Sequence, residues 1–166
     1  MNLRQTAVLM GHNAPIYALL PYGDEGEQWL SAAGDGWVVV WDLRAGVDGR
    51  LLMQVEGSIF CLHRLHNAQE LAVGTMQGGL YWLDLATNTP LMQELAHAGG
   101  IFALHSDADH LYTGGGDGRL VRWSRTTRRK IETLHLSHKP LRCFCPSPTA
   151  RCYGSAAATA RFTPSI

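Results

Sequence analysis

Three groups of side chains in this 166-residue chain have residue types that chemistry needs. His12, Ser31 and Asp35, echoed further along by His97, Thr113 and Asp117, are the parts of a hydrolytic triad, in which a histidine takes a hydroxyl proton and a carboxylate steadies the imidazolium. Cys61, His63 and His66 offer ligands of the kind zinc takes. Arg125, Arg128, Arg129 and Lys130 in "RTTRRK", preceded by Arg119 and Arg122, make the one concentrated basic run, suited to an anion or an acidic partner.

What these groups can do depends on the elements that carry them, and the chain is periodic. "GDGWVVVWDL" from Gly34, "MQGGLYWLDL" from Met76 and "GDGRLVRWSR" from Gly116 are one segment written three times, with Trp41, Leu83 and Trp123 at steps of 42 and 40. An apolar segment ahead of each also recurs: "IYALL" from Ile16, "IFCLH" from Ile59, "IFALH" from Ile101 and "LRCFC" from Leu141. Between them lie "QWLSAAGD", "QELAVGTMQ" and "DHLYTGGGD", apolar runs ending in glycine turns, and a short run such as "LLMQVEG" from Leu51 closes the period. Four short strands, a to d, in a repeat of about 40 residues is the arithmetic of a β-propeller blade.

The repeat resembles the WD-repeat (Trp-Asp) propeller blade. The match runs through Gly11-His12, the apolar a strand, Ser31 to Asp35 in Ser-x-x-x-Asp spacing, and Trp41-Asp42, and it covers essentially residues 1 to 145. In that family the histidine, the strand-b Ser or Thr, the turn Asp and the c-strand Trp form a buried hydrogen-bond relay. Carried over by position, the resemblance implies a structural relay of His12, Ser31, Asp35 and Trp41 in the first blade, and of His97, Thr113, Asp117 and Trp123 in the third. The second repeat departs from it: no Gly-His precedes Ile59, and Val73, Gln77 and Leu83 stand where the Ser/Thr, Asp and Trp should be. A network missing one member leaves buried donors or acceptors unsatisfied at about 1–3 kcal/mol each, so retention or replacement of the whole set is favoured. Polar groups that recur with the repeat serve folding, which argues against a hydrolase triad.

The other two constellations fare differently. Residues three apart on a strand point to opposite faces, so His63 and His66 do not converge; Cys61 and His63 share a face, but two ligands do not close a tetrahedral site. His135-x-x-His138 spends His138 as the expected repeat histidine, and Cys143-x-Cys145 lies where the repeat dissolves. No metal and no cofactor is expected. The basic run falls in the c–d turn and reads as a soluble rim that blunts an edge strand. It has no interleaved aromatics, so nucleic acid is not an expected partner.

Stacking the repeats brings out a further set. Immediately after the first apolar residue of strand a stand Tyr17, Phe60 and Phe102, with Arg142 in the fourth copy. The resemblance places the start of strand a near the mouth of the central channel, an end that often carries the partner surface. Tyr, Phe and Arg are the usual anchors of an interface core, so these four are the candidate partner-binding residues.

Fourteen basic and fourteen acidic side chains cancel, and 46% hydrophobic residues suit a globular protein, so no general field draws the chain to nucleic acid or membrane. The N-terminus lacks an apolar core after a basic start and no run is long enough to span a bilayer, which reads as cytoplasmic. The expected fold is all-β, a WD-repeat β-propeller of about three complete four-stranded blades plus a partial fourth, in an incomplete ring. The segments would be residues 1–11 as the outer strand of a ring-closing blade, 12–57, 58–96 and 97–137 as blades 1 to 3, and 138–166 as partial blade 4. The tail "CYGSAAATARFTPSI" abandons the pattern, and the genetic code permits a shifted frame reading Ser-Asp-Gly-Gln-Ile-His-Ala-Phe-Asp there. Asp35 and Asp117 are 82 residues apart, two periods of 41, and the shifted Asp falls 41 beyond Asp117. A chain out of frame after about residue 144 would be a truncated piece of a longer propeller. The expected function is a non-catalytic scaffold that presents strand ends and loops to a protein or peptide; the alternative is a propeller-fold enzyme with a site at the channel mouth, for which only fold analogy speaks.

Overall fold

The computed structural model describes residues 4–5, 8–23, 27–46, 48–65, 69–146 and 153–154. Residues 147–152 and 155–166, on which the shifted-frame reading rests, and His66 lie outside them. The described residues form three four-stranded antiparallel sheets, each in chain order. Blade 1 comprises β1 (Ile16–Tyr22), β2 (Gln28–Ala33), β3 (Trp37–Asp42) and β4 (Arg50–Gln54). Blade 2 comprises β5 (Ile59–Arg64), β6 (Glu70–Thr75), β7 (Gly79–Asp84) and β8 (Thr89–Leu95), and blade 3 β9 (Ile101–Ser106), β10 (His110–Gly115), β11 (Arg119–Ser124) and β12 (Lys130–His135). A two-stranded ladder follows, β13 (Cys145–Pro146) with β14 (Tyr153–Gly154). The chain divides into two compact units, residues 1–59 and 60–166.

Local sequence accounts for the blades. Strands b and c are rich in Val, Leu, Trp and Ala and are buried over most of their length, whereas strand d alternates and faces water on one side. The b–c turn is fixed by Gly36, Gly78 and Gly118, all at positive φ of 78°, 85° and 71°. At Gly118 a Cβ would also run into the Ser137 carbonyl, so no other residue fits this turn. The register places Ser31 opposite Val39 and Trp29 opposite Trp41 in blade 1, and Thr113 opposite Val121 and Leu111 opposite Trp123 in blade 3. The Asp of each Trp-Asp position folds the next turn: Asp42 accepts from the Arg44 and Ala45 N–H, and Asp84 from those of Ala86 and Thr87.

Within the second unit, blades 2 and 3 share a core. Cys61, Leu65, Ala72, Leu80 and Trp82 of blade 2 pack against Ile101, Leu111, Val121 and Trp123 of blade 3. Gly74 permits this approach, since a Cβ there would sit 2.8 Å from Ile101 Cγ2. The next step repeats the device: Leu141 is fully buried, packed with Tyr112 and Leu120, and it lies against Gly114.

Candidate functional site

Strands b and c, the b–c turn and the segment ahead of strand a bring the relay residues together in two blades. In blade 1 the Trp41 indole N–H donates to Ser31 Oγ at 2.7 Å, Ser31 donates to His12 Nε2 at 2.6 Å, and His12 Nδ1–H donates to Asp35 at 3.0 Å. Indole can only donate and a carboxylate can only accept, so the direction of the chain and the tautomer of a neutral His12 follow from its two ends. Blade 3 repeats it through Trp123, Thr113, His97 and Asp117, at 3.2, 2.7 and 2.9 Å. The carboxylates finish the turn by accepting backbone N–H groups, from Asn13 and Trp37 onto Asp35 and from Ala98 and Arg119 onto Asp117.

The electrostatics match a fixed network rather than a proton shuttle. Burial works to raise Asp117, but the His97 bond and the Arg119 and Ala98 amides outweigh it and hold the carboxyl below its ordinary value. Asp35 is lowered in the same way by Asn13, Trp37 and His12 against burial. Burial lowers His97 against the pull of Asp117. Ser31 and Thr113 are buried, and each accepts an indole N–H.

In blade 2 the three substituted positions are filled apolarly or face water: Val73 and Leu83 are buried and Gln77 is exposed. The indole has moved one residue along the strand, to Trp82, and donates instead to Glu70 Oε2 at 2.7 Å. Glu70 Oε1 in turn accepts from Arg128 of blade 3 at 2.8 Å, and the Arg128 guanidinium lies 6.0 Å from the Trp82 ring centre. Sequence reasoning missed this trio because Glu70, Trp82 and Arg128 obey no repeat position. Arg128 also sits at a positive φ of 54°, unusual for a non-glycine residue.

Arg125 and Arg128 of the basic run are therefore tied into the unit, while Arg129 and Lys130 are exposed, as a solvated rim would have them. Arg125 donates to the carbonyls of Asp107 and Ala108 at 2.7 and 2.8 Å, and Lys130 Nζ lies 6.0 Å from the Trp123 ring centre and 3.9 Å from Glu94. The c–d turn folds back over strands of its own unit, which residue spacing alone does not show. Arg129 extends this run.

Cys61 and His63 are committed elsewhere than to a metal. The Cys61 S–H donates to the Ile101 carbonyl at 3.3 Å and burial pushes the thiol up to about 12. His63 Nε2 bonds Ser106 Oγ at 2.9 Å, and its ring lies 5.8 Å from that of His105. Burial, then His105 and Arg125, bring His63 down to about 4. Among the described residues no three His, Cys, Asp or Glu side chains converge as metal ligands.

The aromatic positions give the second unit an accessible feature. Phe60 and Phe102 stack at 5.3 Å between ring centres with planes 20° apart, and the Arg142 guanidinium caps the stack 4.8 Å above Phe102. Both rings are partly exposed and Arg142 is exposed. Gly100 and Gly116 frame Phe102: a Cβ on either would come within 3.3 Å of the ring. Tyr17, in the first unit, is half-exposed beside Gly34 and Ser58.

Three four-stranded blades in chain order, two of them pinned by a Trp–Ser/Thr–His–Asp relay, define an all-β repeat protein of propeller type. The family model described as "WD domain, G-beta repeat" matches residues 3–42 and 89–124, leaving out the stretch in which blade 2 has lost its relay. The matched repeats are WD repeats, and the three blades have the β-propeller blade fold. The computationally designed protein Ika4 is similar over 98% of this chain and 99% of its own, at 19% identity and a TM-score of 0.77. U3-55K is similar over 91% of this chain at 19% identity and a TM-score of 0.76, and the RRP9 WD40 repeats over 91% at 20% and 0.76. The chain spans 48% and 47% of those two, about half their length. No curated protein sequence matches it.

Proposed function

We propose that this chain is a non-catalytic interaction scaffold that binds a protein or peptide through the Phe60–Phe102–Arg142 stack of its second unit; Tyr17 of the first unit is a separate candidate. The observation that carries the reading is the stack itself, two parallel rings capped by an exposed guanidinium on a glycine shelf. The rings offer a flat apolar anchor, and guanidinium stacked on an aromatic face keeps its N–H edge for a carboxylate. A partner segment with an apolar or aromatic residue next to an acidic one fits that chemistry.

Peptides selected on the purified protein from a random display library test the reading. Their affinity, measured by fluorescence anisotropy, is expected to fall at least about tenfold in Phe102→Ala and in Arg142→Ala, the loss typical of an interface anchor. Selected peptides that bind both variants as tightly as the parent would place the partner surface elsewhere.

A further inference from the structure

We propose that the open apolar face of blade 1 is an interaction surface for a second copy of this chain. Ile16, Trp29, Val39 and Trp41 hold in blade 1 the repeat positions that Ile101, Leu111, Val121 and Trp123 hold in blade 3. In blade 3 all four are at most 1% exposed, because blade 2 covers them with Cys61, Leu65, Ala72, Leu80 and Trp82. In blade 1 Ile16 is 55% exposed, and it lines with Leu9, Leu19, Trp29, Trp41 and Leu43 an apolar cavity of about 250 Å³. Leu19 and Leu43 are half-exposed or more beside it. Val39 and Trp41 stay enclosed at 4% and 3%, but Ile16 opens to water at the position that Ile101 buries under blade 2, so the chemistry that fits this face is an apolar blade surface of the same kind.

A second copy supplies such a blade. The lining of the cavity carries no ionised side chain, so two identical chains meet there without like-charge repulsion. A closed pair, each copy laying a blade on the open face of the other, buries the exposed isoleucine and leucines twice over.

Sedimentation equilibrium of the full chain at micromolar concentrations is expected to give twice the chain mass of 18.2 kDa. Ile16→Asp and, separately, Leu19→Lys are expected to shift dissociation at least about tenfold toward the monomer. Leu19 already projects into water, so its variant keeps the fold even if the first does not, which far-UV circular dichroism checks. Ile131→Asp, on the outer strand of blade 3, is expected to leave the pair intact. A monomeric parent protein, or a dimer that survives Leu19→Lys unchanged, overturns the proposal.

Discussion

His63 shows how a residue that invites chemistry can be a structural liability with a measurable signature. Its folded value of about 4 lies below the ordinary 6.5, with burial as the main cause. Between those values the unfolded chain binds a proton that the folded chain refuses, so stability falls as pH drops through 6.5 and the loss levels off near 4. The gap corresponds to a loss on the order of 3 kcal/mol at the acid end. Urea unfolding from pH 7 to pH 4 is expected to show His63→Asn with a visibly flatter pH dependence than the parent. Identical slopes in the two proteins would remove His63 from the acid response. His97 and His105, also lowered by burial, and the depressed carboxyls of Asp35 and Asp117 contribute to the slope that remains. The relay residues were legible in the sequence because their types recur at fixed offsets, His12 with Ser31, Asp35 and Trp41, His97 with Thr113, Asp117 and Trp123. His63's hydrogen bond to Ser106 was not, because it joins strands of two different blades 43 residues apart.

Elements carry the second lesson. Blade 2 lost its relay as a set, which the sequence displayed at Val73, Gln77 and Leu83, but what took its place could not be read there. The indole of Trp82 lies one residue off the repeat position, and a one-residue step on a strand changes the face. Its partner Glu70 is reached by Arg128 from a turn 58 residues on, a long-range pairing that local pattern does not encode. Both side chains of the ion pair are largely buried, at 19% and 31% exposure. A double-mutant cycle of Glu70→Gln and Arg128→Ala, read by urea unfolding, is therefore expected to give a coupling of about 1–2 kcal/mol, above the range of exposed surface pairs. Coupling within error of zero would mean that the c–d turn of blade 3 merely lies against blade 2.

At the scale of the whole molecule, strand order and blade count followed from the period of about 40 residues, and the polar groups that looked catalytic turned out to hold turns and strands together. The proposed function rests on the partly exposed rings at the start of strand a and the arginine that caps them. On the proposed reading this chain works by presenting a surface. The most direct measurement of that claim is chemical-shift mapping of a selected peptide on the isotopically labelled chain. The account predicts the largest perturbations at Phe60, Phe102 and Arg142, with the relay signals of His97 and Asp117 unmoved; perturbations centred on His63, Ser106 or the relay, and none at the stack, would contradict it.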